Sequence, residues 1–340
     1  MRLMSVLLGL LVLSSHSQAH HQTSGQYSDE TVDVEGEVVR VIWGNPHPRL
    51  TLKVRTESGE EELLHFETGG LGDPTRSGIS RGAIRVGDSV RVAGRAPLRG
   101  TRYDFSNVLL PNGKELVFRG AEPRWSSDAQ VSTNNPLALA VDEAKVEVSR
   151  ANARGLFRVW VRSGGGAYWN QDLPLTEAAR ASLAVFDFES EYPIMKCVPP
   201  GMPRATITNP WPMEFVEREN NIVQRMEEFD IERTIHMNPG ARNNSPTPTP
   251  LGFSVGRWED GSLVVVTTDV NWPYFDDTGI PLTEEVEILE RFTLSSNETD
   301  LDYQITVTDP DVFTRPVIGA TRWTWVPGLE LRPYECIPDD

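Results

Sequence analysis

LGFSVGRWEDGSLVVVTTDV, residues Leu251–Val270, is the stretch whose reading decides the fold. Asp260-Gly261 stands between two β-rich runs, and this dipeptide suits the positive φ angles of a type I′ turn, so the segment reads as a tight hairpin. A two-residue loop fixes the register: Glu259 faces Ser262, Trp258 faces Leu263 and Val255 faces Val266. Phe253, Val255, Val264 and Val266 then share one face, and Trp258, Leu263 and Val265 share the other. Both faces are partly apolar, which places the hairpin in the middle of an antiparallel sheet rather than at its edge.

Strand-like runs flank it on both sides. Downstream, Val286, Ile288, Phe292 and Leu294 alternate along one run, Leu301, Tyr303, Ile305 and Val307 along the next, and Thr321, Trp323 and Trp325 along the last. Upstream come LFRVWVRS (Leu156–Ser163), Met213–Val216, Ile222–Phe229 and Arg233–Met237. The proline-rich Pro239–Pro250 cannot join a ladder and is a loop; Asn271–Pro281 is a second long loop. About eight antiparallel strands in chain order favour an up-and-down barrel or strongly curved sheet of the calycin kind over residues 151–340, with a β-sandwich as the alternative. One helix is expected at Leu175–Phe186, capped by Thr176. Cys197 and Cys336 are the only cysteines and lie near the two edges of this domain with no C-x-x-C pattern, so they read as a disulfide staple.

Residues 32–120 carry five or six short strands, a Gly-rich connection at Gly69–Gly82 and the turn Asn112-Gly113, which best fits a small OB-type barrel. Residues 121–150 read as a linker and 20–31 as a polar leader. The start, MRLMSVLLGLLVLSSHSQA, has Arg2, an apolar run Leu3–Leu13 and small residues Ser17 and Ala19 before a cut, the pattern of a signal peptide over residues 1–19. That run is far short of the about 20 residues a membrane span needs, so the expected address is periplasmic or secreted with no span after cleavage.

His20-His21, then Gly36 and Val38, Trp43-Gly44-Asn45-Pro46-His47, and Gly87-Asp88-Val90-Val92-Gly94 resemble an uncharacterised family of exported bacterial proteins with an N-terminal OB-like barrel. In that family position 44 more often holds a larger residue. The second half, with Cys197–Pro203, Ser254–Glu259 and Tyr334-Glu335-Cys336, resembles a β-rich partner domain of unknown role. The resemblance implies a fold and an export route, and no activity.

Lys and Arg total 32 against 49 Asp and Glu, a formal charge of −17, which disfavours nucleic acid even for an OB-like barrel. No G-x-S-x-G, H-E-x-x-H or P-loop occurs, and Gly164-Gly165-Gly166 lacks the lysine and helix of a phosphate cradle. Trp272, Tyr274 and Phe275 in the long loop, with Trp258 and Trp323 on strands, are the candidate walls of a small-molecule site in the second barrel. The expected function is therefore non-catalytic binding of a small, partly apolar ligand. Two other readings compete with it. Asp269, Asp276 and Asp277 could hold Ca²⁺, or Asp276 or Asp277 could work with His236 in a hydrolase. Alternatively, His20 and His21, with His47 as a further ligand, suit copper; His65 is a weaker candidate.

Cleavage after Ala19 would free the His20 amine to chelate Cu(II) together with its own ring, with His21 adding a nitrogen. Each ligand must lose a proton, so affinity should fall as pH drops below the imidazole and amine values of about 6.5 and about 8. Cu(II) titration of mature protein should find a site that His20→Ala weakens; equal binding by the variant would remove it.

Overall fold

A computed structural model describes residues 27–98, 101–133, 141–163, 169, 172–187, 191–238, 240 and 247–338. The expected signal peptide and His20-His21 lie outside the described residues. The first seven strands are β1 (Tyr27–Ile42), β2 (Arg49–Arg55), β3 (Glu61–Glu67), β4 (Ser89–Pro97), β5 (Arg102–Leu109), β6 (Glu115–Val117) and β7 (Ala129–Val131). They form one sheet in the order β3-β2-β1-β4-β5-β6-β7, and β3 also pairs with β5. That extra pairing closes β1-β2-β3-β5-β4 into a ring. The long β1 serves two partners in turn: Thr31–Glu37 face β4, and Glu37–Ile42 face β2 across a bulge at Val38/Arg40. Val38, Leu50, Leu52, Phe66, Val92, Phe105, Val108 and Phe118 fill its interior.

β1 includes Tyr27–Thr31, which the sequence placed in the leader, and Tyr27 anchors it. Its ring lies under Arg95, and its hydroxyl donates to Glu67 at 2.7 Å. Within the stretch expected as a linker, β7 and the start of a helix are described. Buried Glu115 accepts from Asn107 Nδ2 and from the backbone amides of Arg124, Trp125 and Ser126 at 2.7–2.9 Å, pinning the chain as it leaves β6. These donors hold its carboxyl below the ordinary range although burial pushes the other way. A helix, α2 (Glu143–Asn152), follows the short α1 (Gly72–Arg76). No residue of α2 is buried, so it lacks the apolar stripe that sequence reading depends on. The expected helix is present as α3 (Glu177–Val185), with Thr176 Oγ1 accepting from Ala179 N.

Nine strands complete the second domain: β8 (Val159–Arg162), β9 (Met213–Arg218), β10 (Asn221–Met226), β11 (Ile231–His236), β12 (Phe253–Glu259), β13 (Ser262–Thr268), β14 (Glu287–Leu294), β15 (Asp300–Thr308) and β16 (Val317–Trp325). They close into a barrel in chain order, β16 meeting β8. The β12–β13 hairpin has the expected register, with Asp260 and Gly261 at φ 49° and 81°. An odd ring cannot alternate direction all the way round. Its one parallel pair is β11–β12, and the chain between them, residues 237–252, is the dozen-or-more-residue crossover that a parallel pair requires.

The barrel interior is packed by Trp160, Met213, Phe215, Ile222, Ile235, Leu263, Val265, Ile288, Phe292, Tyr303, Ile305 and Trp323. At its middle stands an ion pair that sequence reading missed. Arg233, 2% exposed, forks onto Glu290, 0% exposed, and donates also to Gln224 Oε1 at 3.1 Å, Ser254 Oγ at 3.0 Å and Thr267 Oγ1 at 2.7 Å. Tyr303 donates to Glu290 at 3.0 Å; burial and that carboxylate raise its phenol well above the ordinary value, so it remains a donor.

Disrupting this network should be costly. Arg233→Met or Glu290→Leu alone leaves a buried charge without its partner and should cost about 3–5 kcal/mol in urea unfolding. Combining the two should recover part of that loss; additive costs would show that the pair is not coupled.

Candidate functional site

The antiparallel run of the strands puts the last residues of β8, β10, β13 and β15 and the first residues of β9, β11, β14 and β16 at one end of the barrel. As expected, the loop Asn271–Pro281 covers this mouth. Its rings, however, act as a plug rather than as pocket walls. Phe275 is fully buried, stacked on Trp169 at 4.3 Å and edge-on to Phe313 at 4.8 Å. Trp272 is buried beside the Gly201 backbone, and Tyr274 meets Phe186 and Tyr192 at 5.1 and 5.7 Å. Trp323 is core, and Trp258 stands 51% exposed near the hairpin turn. The structure therefore brings Trp272, Tyr274 and Phe275 together but not Trp258 or Trp323. An open cavity inside the barrel gives way to packed rings and the Arg233–Glu290 network.

The carboxylates of the same loop are also held. Arg204, from the short helix Arg204–Ile207, donates from Nε to Asp277 at 2.6 Å and from Nη1 to Glu228, while Tyr192 donates to Asp277. Burial would lower the Arg204 value, but Asp277 and Glu228 raise it, so the guanidinium stays charged. Glu228 itself is raised by burial. Sequence reading ran β10 on to Phe229. The chain turns instead after Met226, with Phe229 and Asp230 at positive φ, and aims Glu227 and Glu228 at separate arginines. Asp269 accepts from Thr268 Oγ1 at 2.7 Å, and His236 stacks on Phe253 at 4.7 Å. Hydrolase chemistry by Asp276 or Asp277 with His236 thus has no assembled geometry. No group of three or more metal-ligating side chains occurs among the described residues.

Asp276 accepts from the backbone and hydroxyl of Thr278 at 2.9 and 2.5 Å, yet burial pushes its carboxyl up from 3.8 to about 6. Between those values the folded chain keeps a proton that the unfolded chain has released, so stability falls as pH rises through this window. Asp276→Asn keeps an acceptor for Thr278 and should stabilise by up to about 3 kcal/mol near pH 8 and by nothing below about pH 4. Urea melts at both pH values test this; equal effects would mean that the carboxyl ionises at its ordinary value.

The first domain docks on the plugged end. Arg76 pairs with Glu227, both nearly inaccessible, and the Trp211 ring lies over Gly70 and Gly72. Asn45 accepts from Leu71 N at 2.9 Å and donates to the Tyr334 carbonyl. The expected disulfide Cys197–Cys336 is present, with Cα atoms 5.9 Å apart, and holds this segment in place. His47 Nδ1 lies 3.6 Å from Glu67, and His65 Nδ1 lies 3.2 Å from Thr51 Oγ1, so the two histidines do not share a site. Burial would raise Glu67, but His47, Tyr27 and Arg102 outweigh it and hold its carboxyl at about 2.

A cleft of ligand size lies outside the barrel wall. About 380 Å³ opens between the end of α2 (Ser149, Asn152) and the β8–β9 edge (Val159, Glu214–Glu217), with Phe157 between Arg154 and Arg158. Arg154 packs 5.3 Å from the Phe157 ring and pairs with Glu217; Arg158 covers Trp325 at 4.4 Å and bonds to Glu298. The only sequence signal for it was an aromatic residue flanked by two arginines just before a strand. A second, outer groove of about 70 Å³ lies over Val264 between Arg257 and Arg291.

No helix among the described residues is long and apolar enough to cross a membrane. A family of unknown function, DUF6152, matches residues 8–104, which reach from before the first barrel into β5 and include none of the second domain. No curated protein matches this chain.

Proposed function

We propose that the chain is an exported binding protein without chemistry of its own, and that its ligand is small and partly apolar. The ligand lies in the cleft between α2 and β8–β9 rather than inside the barrel. The observation that carries this reading is the cleft itself: its volume of about 380 Å³ falls in the range of small-ligand sites. Phe157 offers an apolar face, and Arg154 and Arg158 offer donors in fixed planes. Arg154 is paired with Glu217 at the surface, so an anionic or hydrogen-bonding group exchanges that partner at little desolvation cost, while Arg158, 7% exposed, is held against Trp325 and Glu298.

Copper handling is the second reading, favoured by one contact. Tyr27, six positions after His21, bonds to the same Glu67 carboxylate that faces His47. The strand that follows the paired histidines therefore starts beside His47.

A thermal-shift screen of purified protein against small aromatic and aliphatic acids, repeated with Phe157→Asp and Arg154→Glu, separates the first reading from its rivals. Compounds that raise the midpoint by a few degrees should lose that effect in both variants. Stabilisation that survives both substitutions would rule out the cleft.

A further inference from the structure

The loop Trp43–Arg49 and the segment Glu335–Pro338 meet as a receptor meets an extended peptide. Asn45 N donates to the Glu335 carbonyl at 3.2 Å, Ile337 N donates to the Asn45 carbonyl at 2.8 Å, and Cys336 sits opposite Asn45 in a parallel bridge. Arg49 Nη2 donates to the Ile337 and Pro338 carbonyls at 3.2 and 3.1 Å. Two side-chain contacts add selectivity. Ile337 fills the space above Gly44, where a Cβ would come within 2.5 Å of it, and Arg81 pairs with Glu335 at 3.1 Å.

We propose that the loop Trp43–Arg49 is a peptide-binding notch of the first barrel, and that Glu335–Pro338 is its resident occupant. The partner it fits is an extended polypeptide reading acidic, any residue, branched aliphatic. Main-chain bonds supply most of the contact, as in strand-addition complexes, while the Gly44 notch and Arg81 read alternate side chains. An independent observation points the same way. The family match over residues 8–104 contains Gly44, Asn45, Arg49 and Arg81 but stops far short of the segment that fills them. The loop and Arg81 thus lie within the matched stretch and their occupant outside it, while the Gly44 notch is this chain's own, since a larger residue at that position would close it. In this chain the Cys197–Cys336 bond keeps that occupant at high effective concentration, so a second peptide competes only once the tether is cut.

The test uses the chain ended after Tyr334 and carrying Cys197→Ser, which retains the buried Tyr334 ring. The probe is a fluorescent peptide copying Glu335–Asp340 with serine in place of Cys336. Anisotropy should show saturable binding that Gly44→Val weakens at least about tenfold, and Arg81→Glu should reverse the preference from glutamate to lysine at the first peptide position. Absence of saturable binding to the folded chain, or equal binding by Gly44→Val, would overturn the proposal. If the shortened chain does not fold, hydrogen exchange of the full chain with Cys197→Ser and Cys336→Ser decides. Excess peptide should speed exchange at the Ile337 amide while Asn45 stays protected, and no change at Ile337 would be equally fatal.

Discussion

Closing nine strands in chain order leaves one neighbouring pair that must run parallel, and much of the second domain follows from where that pair falls. Between β11 and β12 the chain has to travel back along the barrel, so residues 237–252 cannot be a tight turn. The returning chain reaches the plugged end. Thr249 bridges Val270, and the Pro250 carbonyl accepts from Met202 N, within reach of the Gly201 backbone and the Trp272 ring. The crossover, the loop after β13 and the insertion between β8 and β9 are thereby packed against one another. Among the described residues this end of the barrel is filled by Trp169, Trp272, Phe275 and Phe313 rather than left open.

The polar centre of the barrel reinforces this. A buried guanidinium is tolerated only when nearly every donor is used, and Arg233 meets that condition through Glu290, Gln224, Ser254 and Thr267. Ser254 and Thr267 face each other directly in the β12–β13 register, Arg233 reaches them from β11, and Glu290 on β14 meets Arg233. A ligand entering this space would have to displace an ion pair whose members cannot be rehydrated there. Stability and an internal binding cavity are competing uses of the same volume, and the residues present serve stability.

The parts of the fold that were legible in the sequence are those fixed by neighbours along the chain. Asp260-Gly261 sets a turn and a register, Thr176 caps a helix, and alternating residues mark β13 to β16. The buried pair left a visible trace as well. Arg233 stands between Ile231 and Ile235, and Glu290 between Ile288 and Phe292, each a charge on an otherwise apolar face. What the sequence does not contain is their proximity, since the partners sit far apart along the chain and meet only when the ring closes. The same holds for Glu227 and Glu228, which lie in the run read as strand from Ile222 to Phe229 until Arg76 and Arg204 are brought to them. α2 was hidden for the opposite reason: it buries no residue and so carries no periodic signal. The aromatic loop was recognised as a cover for the barrel end, but whether rings line a space or fill it depends on the facing residues Trp169, Phe186 and Phe313.

Gly44 shows how one residue can carry a long-range constraint. A side chain there would occupy the volume that Ile337 takes, so a barrel with a larger residue at this position cannot receive the segment in this register. Asn45 then becomes a joint, with its side chain bonded to Leu71 on its own barrel and to Tyr334 on the other domain. The disulfide limits the same contact from the far side by fixing Cys336 to the insertion that carries Arg204. The contact at this corner therefore combines a missing side chain, one bifunctional amide and one covalent bond, beside the Arg76–Glu227 pair and the Trp211 ring that join the same two domains. Each is local, and their coincidence at residues 334–338 sets the register in which the two domains meet there.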